Sequence, residues 1–275
     1  MRTKRAVQDT RSRKGVRILK EIGIRNNRRN VSMYWYLGDY SGLFYIAAIG
    51  VMIWSFIVQG RLKSLVKKYS KVPAASGKDA NTCVLEMLKA NEVYGVTVEH
   101  TGGDLTDNYN PKRETINLSD TTYGQTSITA IAIAAHECGH ACQAHSGMLM
   151  YKIRQLIAPV ASVTSKFSVW IAIIGVAIMY AARSYETSNI GYFISTIGIV
   201  LYSVVFLFYL VTLPIERNAS RRGLKAMREL GWVSDDQLRG AKKVLWAAGD
   251  TYAVALASSA VTLLRLLLMR GRRRR

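Results

Sequence analysis

His136-Glu137-Cys138-Gly139-His140 places two imidazoles four residues apart in a chain whose other histidines are His100 and His145. On an α-helix this spacing stacks both rings on one face about one turn apart, so both reach a single metal ion. Glu137 is turned away from that face by roughly 100°. Its carboxylate can then sit against a metal-bound water without being a ligand. H-E-x-x-H is the spacing of a zinc hydrolase, although so short a motif also occurs where a histidine is only structural.

The elements around the motif must make it helical. Ile128–Ala135 is small and aliphatic on every face, Ser127 is a natural N-cap, and the next proline is Pro159. This predicts a helix buried in a protein core. The apolar run is too short to span a bilayer, and Gln143, His145 and Ser146 follow it. The motif therefore belongs to a water-exposed domain and not to a membrane span.

Catalytic zinc sites use three protein ligands and leave the fourth position to water. His145 would lie on another face of the helix. Glu216, in Leu213-Pro214-Ile215-Glu216, is the better candidate. Pro214 is expected to end an apolar span and open a new helix with Glu216 at its head. A lone glutamate there also has an ordinary reading, as compensation for the helix dipole.

Long apolar runs dominate the 275 residues, 49% of which are hydrophobic. Runs at 40–60, 167–182, 190–213 and 252–269 approach or reach the roughly 20 residues of a membrane helix. Two of them separate His140 from Glu216, so the chain crosses the bilayer and returns, leaving both on one side. The net charge of +20 flanks these spans without any nucleic-acid-binding module, which favours lipid headgroups as partner and excludes nucleic acid. Cys83, Cys138 and Cys142 give no disulfide framework and read as small buried residues.

The expected layout is a basic, disordered extension over 1–32, with Met33 a candidate true start, then a transmembrane helix at 33–60. A zinc-peptidase domain follows at 61–155, two transmembrane helices at 156–213, the third-ligand helix at 214–250, and a last transmembrane helix with a basic tail at 251–275. Inside the domain, Ser76 should cap a helix over 78–92, and 95–100 alternates like a strand. Asn110-Pro111-Lys112-Arg113 is a turn between two further strands. The fold class is thus α+β, mainly helical, with four transmembrane helices and a small zincin-like domain at the membrane surface. Thr115, Ile116, Asn117 and Leu118 are the candidate edge strand, against which an extended peptide could pair through its backbone.

His136–Gln143, Leu105-Thr-Asp-Asn-Tyr-Asn-Pro111 with Ile116-Asn-Leu-Ser119, and Thr212–Arg222 together resemble the bacterial membrane-embedded neutral zinc metallopeptidases of the YugP type. The likeness runs from Met33 almost to the end. It implies a gluzincin-like metalloendopeptidase of the bacterial plasma membrane, with one Zn2+ on His136, His140 and Glu216 and with Glu137 as general base. Gluzincins often carry an acidic residue four positions after the ligand glutamate. Here that position is Ser220, so support for a ligand histidine falls to Ser220 or Asn218.

Peptide hydrolysis also needs a donor for the developing oxyanion, and Tyr109, Tyr123 and His100 all remain open. A catalytically inactive zinc-binding scaffold and an intramembrane site-2-type protease are the competing readings; the short, polar-ended motif helix speaks against the second. Lys and Arg near span ends number fifteen on the face carrying the zinc domain and nine on the face of the termini. The positive-inside rule therefore leans toward a cytoplasmic zinc domain.

Overall fold

The computed structural model describes the backbone of residues 28–271 and the side chains from residue 42. Helix α1 (Arg28–Tyr69) is followed by α2 (Ala80–Ala90), strands β1 (Thr97–His100), β2 (Asn108–Asn110) and β3 (Thr115–Leu118), and the motif helix α3 (Ile128–His145). Three long helices complete the chain: α4 (Leu149–Ala181), α5 (Tyr185–Glu229) and α6 (Asp235–Gly271). Residues 1–47 and 48–275 form separate units, the first holding the start of α1 and the second the rest of the molecule. The expectation for residues 1–32 lies, apart from the backbone helix that starts at Arg28, outside the described residues.

Among the described residues four helices are long and apolar enough to cross a membrane: Gly42–Tyr69, Leu149–Ala181, Tyr185–Glu229 and Asp235–Gly271. They contain 42–60 of the first expected run, 167–181 of the second and the whole of the other two, and extend well beyond them. Helices α4 and α5 meet closely through small residues. A Cβ on Gly175 would stand 2.2 Å from Ser195 N, and one on Gly198 would stand 2.3 Å from Ala172 N. Lipid offers apolar side chains no gain from burial, so backbone approach of this kind is how membrane helices associate. A small core of Ala172, Ile199, Tyr202, Val205 and Leu266 ties α6 to this pair.

The larger core surrounds α3. It joins Cys83, Val84 and Met87 of α2, Ile116 and Leu118 of β3, and Ala130, Ile131, Ala132, Ala134 and Ala135 of α3 to Met227, Trp232 and Leu245 near the ends of α5 and α6. Apolar residues of α3 thus meet protein on most sides, as its composition predicts, while Ile133 faces the cleft together with His136 and Glu137. Ser127 is its N-cap, accepting from Ala130 N.

Three expectations are corrected. The cap of α2 is Asp79, which accepts from Thr82 N; Ser76 instead accepts from Lys78 N inside the preceding turn. Pro214 does not open a new helix, because α5 runs through it unbroken. A proline leaves one carbonyl of the previous turn without its intrahelical donor. Buried Thr212 on one side and buried Ile215, Glu216 and Ala219 on the other hold the helix together across that defect. Finally, the sheet order is β1-β3-β2, with β1 parallel and β2 antiparallel to β3. Thr115–Leu118 is therefore the central strand, both of whose edges are already paired, and the expected edge role falls away. The 110–113 turn does join β2 to β3, with Glu114 in the left-handed region at φ 52°.

Candidate metal centre and cleft

Helices α3 and α5 cross where neither carries bulk. A Cβ on Gly139 would lie 2.6 Å from Ala219 O, and one on Gly223 would lie 3.0 Å from Ala135 C. A methyl at Gly139 would force the backbones apart, and one at Gly223 would require the Ala135 backbone to give by a few tenths of an ångström. That contact lays residues 216–220 of α5 along the histidine face of α3.

Three groups meet there. His136 Nε2 is 3.2 Å from Glu216 Oε2, and His140 Nε2 is 3.5 Å from Glu216 Oε1. One ligand atom from each of the three residues lies within 4.8 Å of the other two. The rings stand edge to face, 4.8 Å between centroids. Glu216 is 2% exposed, on a helix long enough to span a bilayer, where a carboxylate is costly and marks a functional site.

A second layer fixes the rings. His140 Nδ1 lies 2.9 Å from Gln143 Oε1, and the Gln143 amide nitrogen donates to Ile215 O and Asn218 Oδ1. Arg222 Nε also donates to Asn218 Oδ1. Gln143 is thereby held with its oxygen toward His140, so the Nδ1 of a neutral His140 carries the proton. Its Nε2 then aims a lone pair at the Glu216 carboxylate. Oε1 of Glu216 has no aligned hydrogen-bond donor, although Arg154 Nη2 lies 3.3 Å away. Lone pairs facing one another across a buried gap fit a cation between them. His136 Nδ1 rests 3.1 Å from Ser220 Oγ. Both expected supporting residues are therefore at the site, Ser220 directly and Asn218 through Gln143.

Glu137 lies at the floor of a cleft of about 240 Å³, lined also by His136, Glu216, Asp107 and Tyr252. Its Oε2 accepts from Tyr109 N–H of β2 at 2.9 Å. Burial pushes its pKa up to about 7, with Glu216 and Asp107 adding to the rise and His136 and the Tyr109 N–H opposing it. A carboxylate so placed exchanges protons near neutrality.

The oxyanion candidates fare differently. Tyr109 serves Glu137 through its backbone, while burial raises its phenol to about 12. His100 is bound to Asp120 Oδ1 at 2.7 Å and packs edge to face on Tyr123. These two form an exposed cluster of their own and do not join the histidine pair. Tyr252 of α6, which shares the cleft and interacts with Glu216, carried no motif or spacing that marked it. Tyr151, 6.2 Å from His140 between ring centroids, and Arg154 were equally unforeseen. Only Gln143 carried a signal, being three residues beyond His140 on the same helix face.

A helix bearing H-E-x-x-H, a small sheet above it and a buried glutamate from a membrane-length helix define the class of membrane-bound zincin-like metallopeptidases. The comparisons agree. The chain belongs to the family described as "Putative neutral zinc metallopeptidase", whose profile matches residues 44–271. It is 35% identical over 224 residues to a Bacillus subtilis (strain 168) protein described as "Putative membrane protease YugP", covering 82% of this chain and 93% of that one. No solved structure matches the chain at a significant level.

Proposed function

We propose that this protein is a membrane-bound metalloendopeptidase that hydrolyses peptide bonds of peptide or protein substrates with one Zn2+ on His136, His140 and Glu216. The convergence of those three ligand atoms within 4.8 Å, with Glu137 beside them, is the observation that carries the reading. Zinc held there would polarise a scissile carbonyl and acidify a water.

The chain's own groups supply the remaining parts. Glu137, aimed by the Tyr109 N–H, takes the proton of the attacking water and returns it to the leaving amine nitrogen. Tyr252 and Arg154, both beside Glu216, are the donors for charge developing on the carbonyl oxygen. β1 and β2 are the two outer strands of the sheet, and β2 is the one whose Tyr109 N–H meets Glu137, so an extended substrate pairs along Asn108–Asn110 and not along β3. The peptidase domain of this reading spans 61–155 and is completed by the α5 segment after Pro214. The excess of Lys and Arg on the zinc face orients it toward the cytoplasm.

The test joins metal analysis to turnover. Glu137→Gln should retain zinc while losing casein hydrolysis by about two orders of magnitude or more. His136→Ala and Glu216→Ala should lose both, and a chelator should abolish activity that added zinc restores. Unchanged proteolysis in Glu137→Gln would remove the base; zinc without turnover in the wild type would leave a scaffold.

A further inference from the structure

Glu216 and its neighbour Arg217 leave α5 in different directions, because successive helix residues diverge by about 100°. Glu216 turns to the histidine pair, and Arg217 turns to α6. Arg217 Nη2 donates to Asp250 Oδ1 at 2.6 Å. Its guanidinium carbon lies 4.4 Å from the centroid of the Trp246 ring. The same carbon stands 3.4 Å from the point that a Gly249 Cβ would occupy. Residues 246, 249 and 250 share one face of α6, so the planar group lies along that face, over an indole, bonded to a carboxylate and seated above a glycine. Lysine carries the same charge but lacks the flat fork that makes these contacts together.

This clamp sits where α6 meets the cleft. Gly249 lines the cleft as well, and Tyr252, three residues further on, shares it and interacts with Glu216. Apolar cores fasten α6 on either side of this stretch. Leu245 belongs to the core around α3, and Leu266 packs with Ile199, Tyr202 and Val205 of α5. Between them Ala247, Ala248, Gly249, Asp250 and Thr251 are small or polar, and small side chains leave the rotation of a helix about its own axis loosely set. Two contacts at different angles around that axis set it: Arg217 on 246, 249 and 250, and Glu216 against Tyr252.

We propose that Arg217 is a positioning residue for catalysis: held by Asp250 and Trp246, it fixes the rotation of α6 that presents Tyr252 to the cleft beside Glu216. This rests on the peptidase reading above, in which Tyr252 is a donor to the carbonyl oxygen, and names the device that aims it. Stability is not its main contribution. The Arg217 and Asp250 side chains remain 28% and 30% exposed, and a pair so open to solvent adds little to folding. Its effect on geometry is larger. At the outer radius of a helix, about 5–6 Å, a rotation of about 10° moves a group by about 1 Å. A displacement of about 1 Å at a reacting centre costs about 100-fold in rate.

The test compares Arg217→Gln, Arg217→Lys and Asp250→Ala, each alone and combined with Tyr252→Phe, in the full-length zinc-loaded protein acting on a fluorogenic peptide. Arg217→Gln and Asp250→Ala should lower kcat about 10–100-fold with KM and bound zinc unchanged, and Arg217→Lys should recover part of the loss. In the Tyr252→Phe background the same changes should cost less than about twofold more, because the group they aim is gone. Losses that multiply in the double variants would make the clamp independent of Tyr252, and a fall in zinc content would move its role to Glu216; either result overturns the proposal. Should Arg217→Gln fail to fold, Asp250→Asn, which keeps the size of the side chain, carries the same comparison. A readout without turnover comes from 3-fluorotyrosine placed at position 252. Its fluorine resonance should move or split in Arg217→Gln and Asp250→Ala, and spectra identical to that of the parent protein would also overturn the proposal. If the wild type cuts no peptide, the peptidase reading fails, while the fluorine spectrum still decides whether Arg217 sets Tyr252.

Discussion

Replacing Gln143 with leucine tests whether the buried amide network, and not the ligands alone, makes the metal centre. Gln143 is fully buried and is the partner of His140 Nδ1 at 2.9 Å. Leucine is close to glutamine in volume, so little cavity forms and the change is mainly polar. Ile215 O keeps its place in α5, and Asn218 Oδ1 keeps the Arg222 donor at 3.0 Å, so the penalty falls on His140. One buried N–H left without an acceptor costs about 1–3 kcal/mol. Loss of a partner behind a ligating histidine typically lowers metal affinity about 10–100-fold, which is about 1.4–2.8 kcal/mol. The two figures agree. Competition for zinc between the detergent-solubilised protein and a chromophoric chelator should show that loss in Gln143→Leu. Gln143→Glu keeps an acceptor toward His140 and should recover most of it. A zinc affinity within about twofold of wild type, alongside a lowered melting temperature, would refute the reasoning and reduce Gln143 to packing.

Gly139→Ala should separate α3 from α5, because its Cβ would lie 2.6 Å from backbone Ala219 O. The expected cost is about 1–3 kcal/mol of stability with weaker zinc binding, and calorimetry together with zinc titration showing no change would deny the close crossing any role. Tyr252→Phe should cut kcat by about 10²–10³ at constant KM and zinc content; an unaltered kcat moves the oxyanion role off α6. Glu86 is held below its ordinary value of 4.5 by Lys78 and by the Trp232 indole N–H. A depressed folded pKa means that its stabilisation is present above the unfolded value and disappears as pH falls through the folded one. Thermal unfolding followed by tryptophan fluorescence should therefore show stability dropping below about pH 4.5. Glu86→Gln should flatten that acid limb, and an identical limb in the variant would contradict the sign.

The chemistry was legible because its residues are local and rare. His136, Glu137 and His140 lie within one and a half turns of a single helix, and periodicity plus the Ser127 cap located that helix closely. The membrane spans were visible as uninterrupted apolar runs, but their helices proved longer than the runs. Amphipathic extensions such as 149–166 and 214–229 stay helical by packing on protein, which hydropathy does not record. Pro214 misled for the same reason: local propensity marks a break, while buried neighbours on both sides carry the helix through. The edge strand was misplaced because pattern identifies strands without ordering them. The parallel pairing of β1 with β3 is a long-range choice that leaves β2 outermost.

From the amino-acid order alone came the helix of the candidate metal centre, the proposed base Glu137, the distant glutamate and the multi-pass anchoring, since each follows from spacing, charge and hydrophobic length. The tertiary structure alone decided what surrounds them. Gln143 orients one ring, Arg154 and Tyr252 both lie beside the Glu216 carboxylate, and β2 fixes the Glu137 carboxylate. These contacts join residues far apart in the chain through the close passage of α3 and α5 at two glycines and through the packing of α6 on α5. Such proximity depends on how helices pack in three dimensions, and no one-dimensional period encodes it.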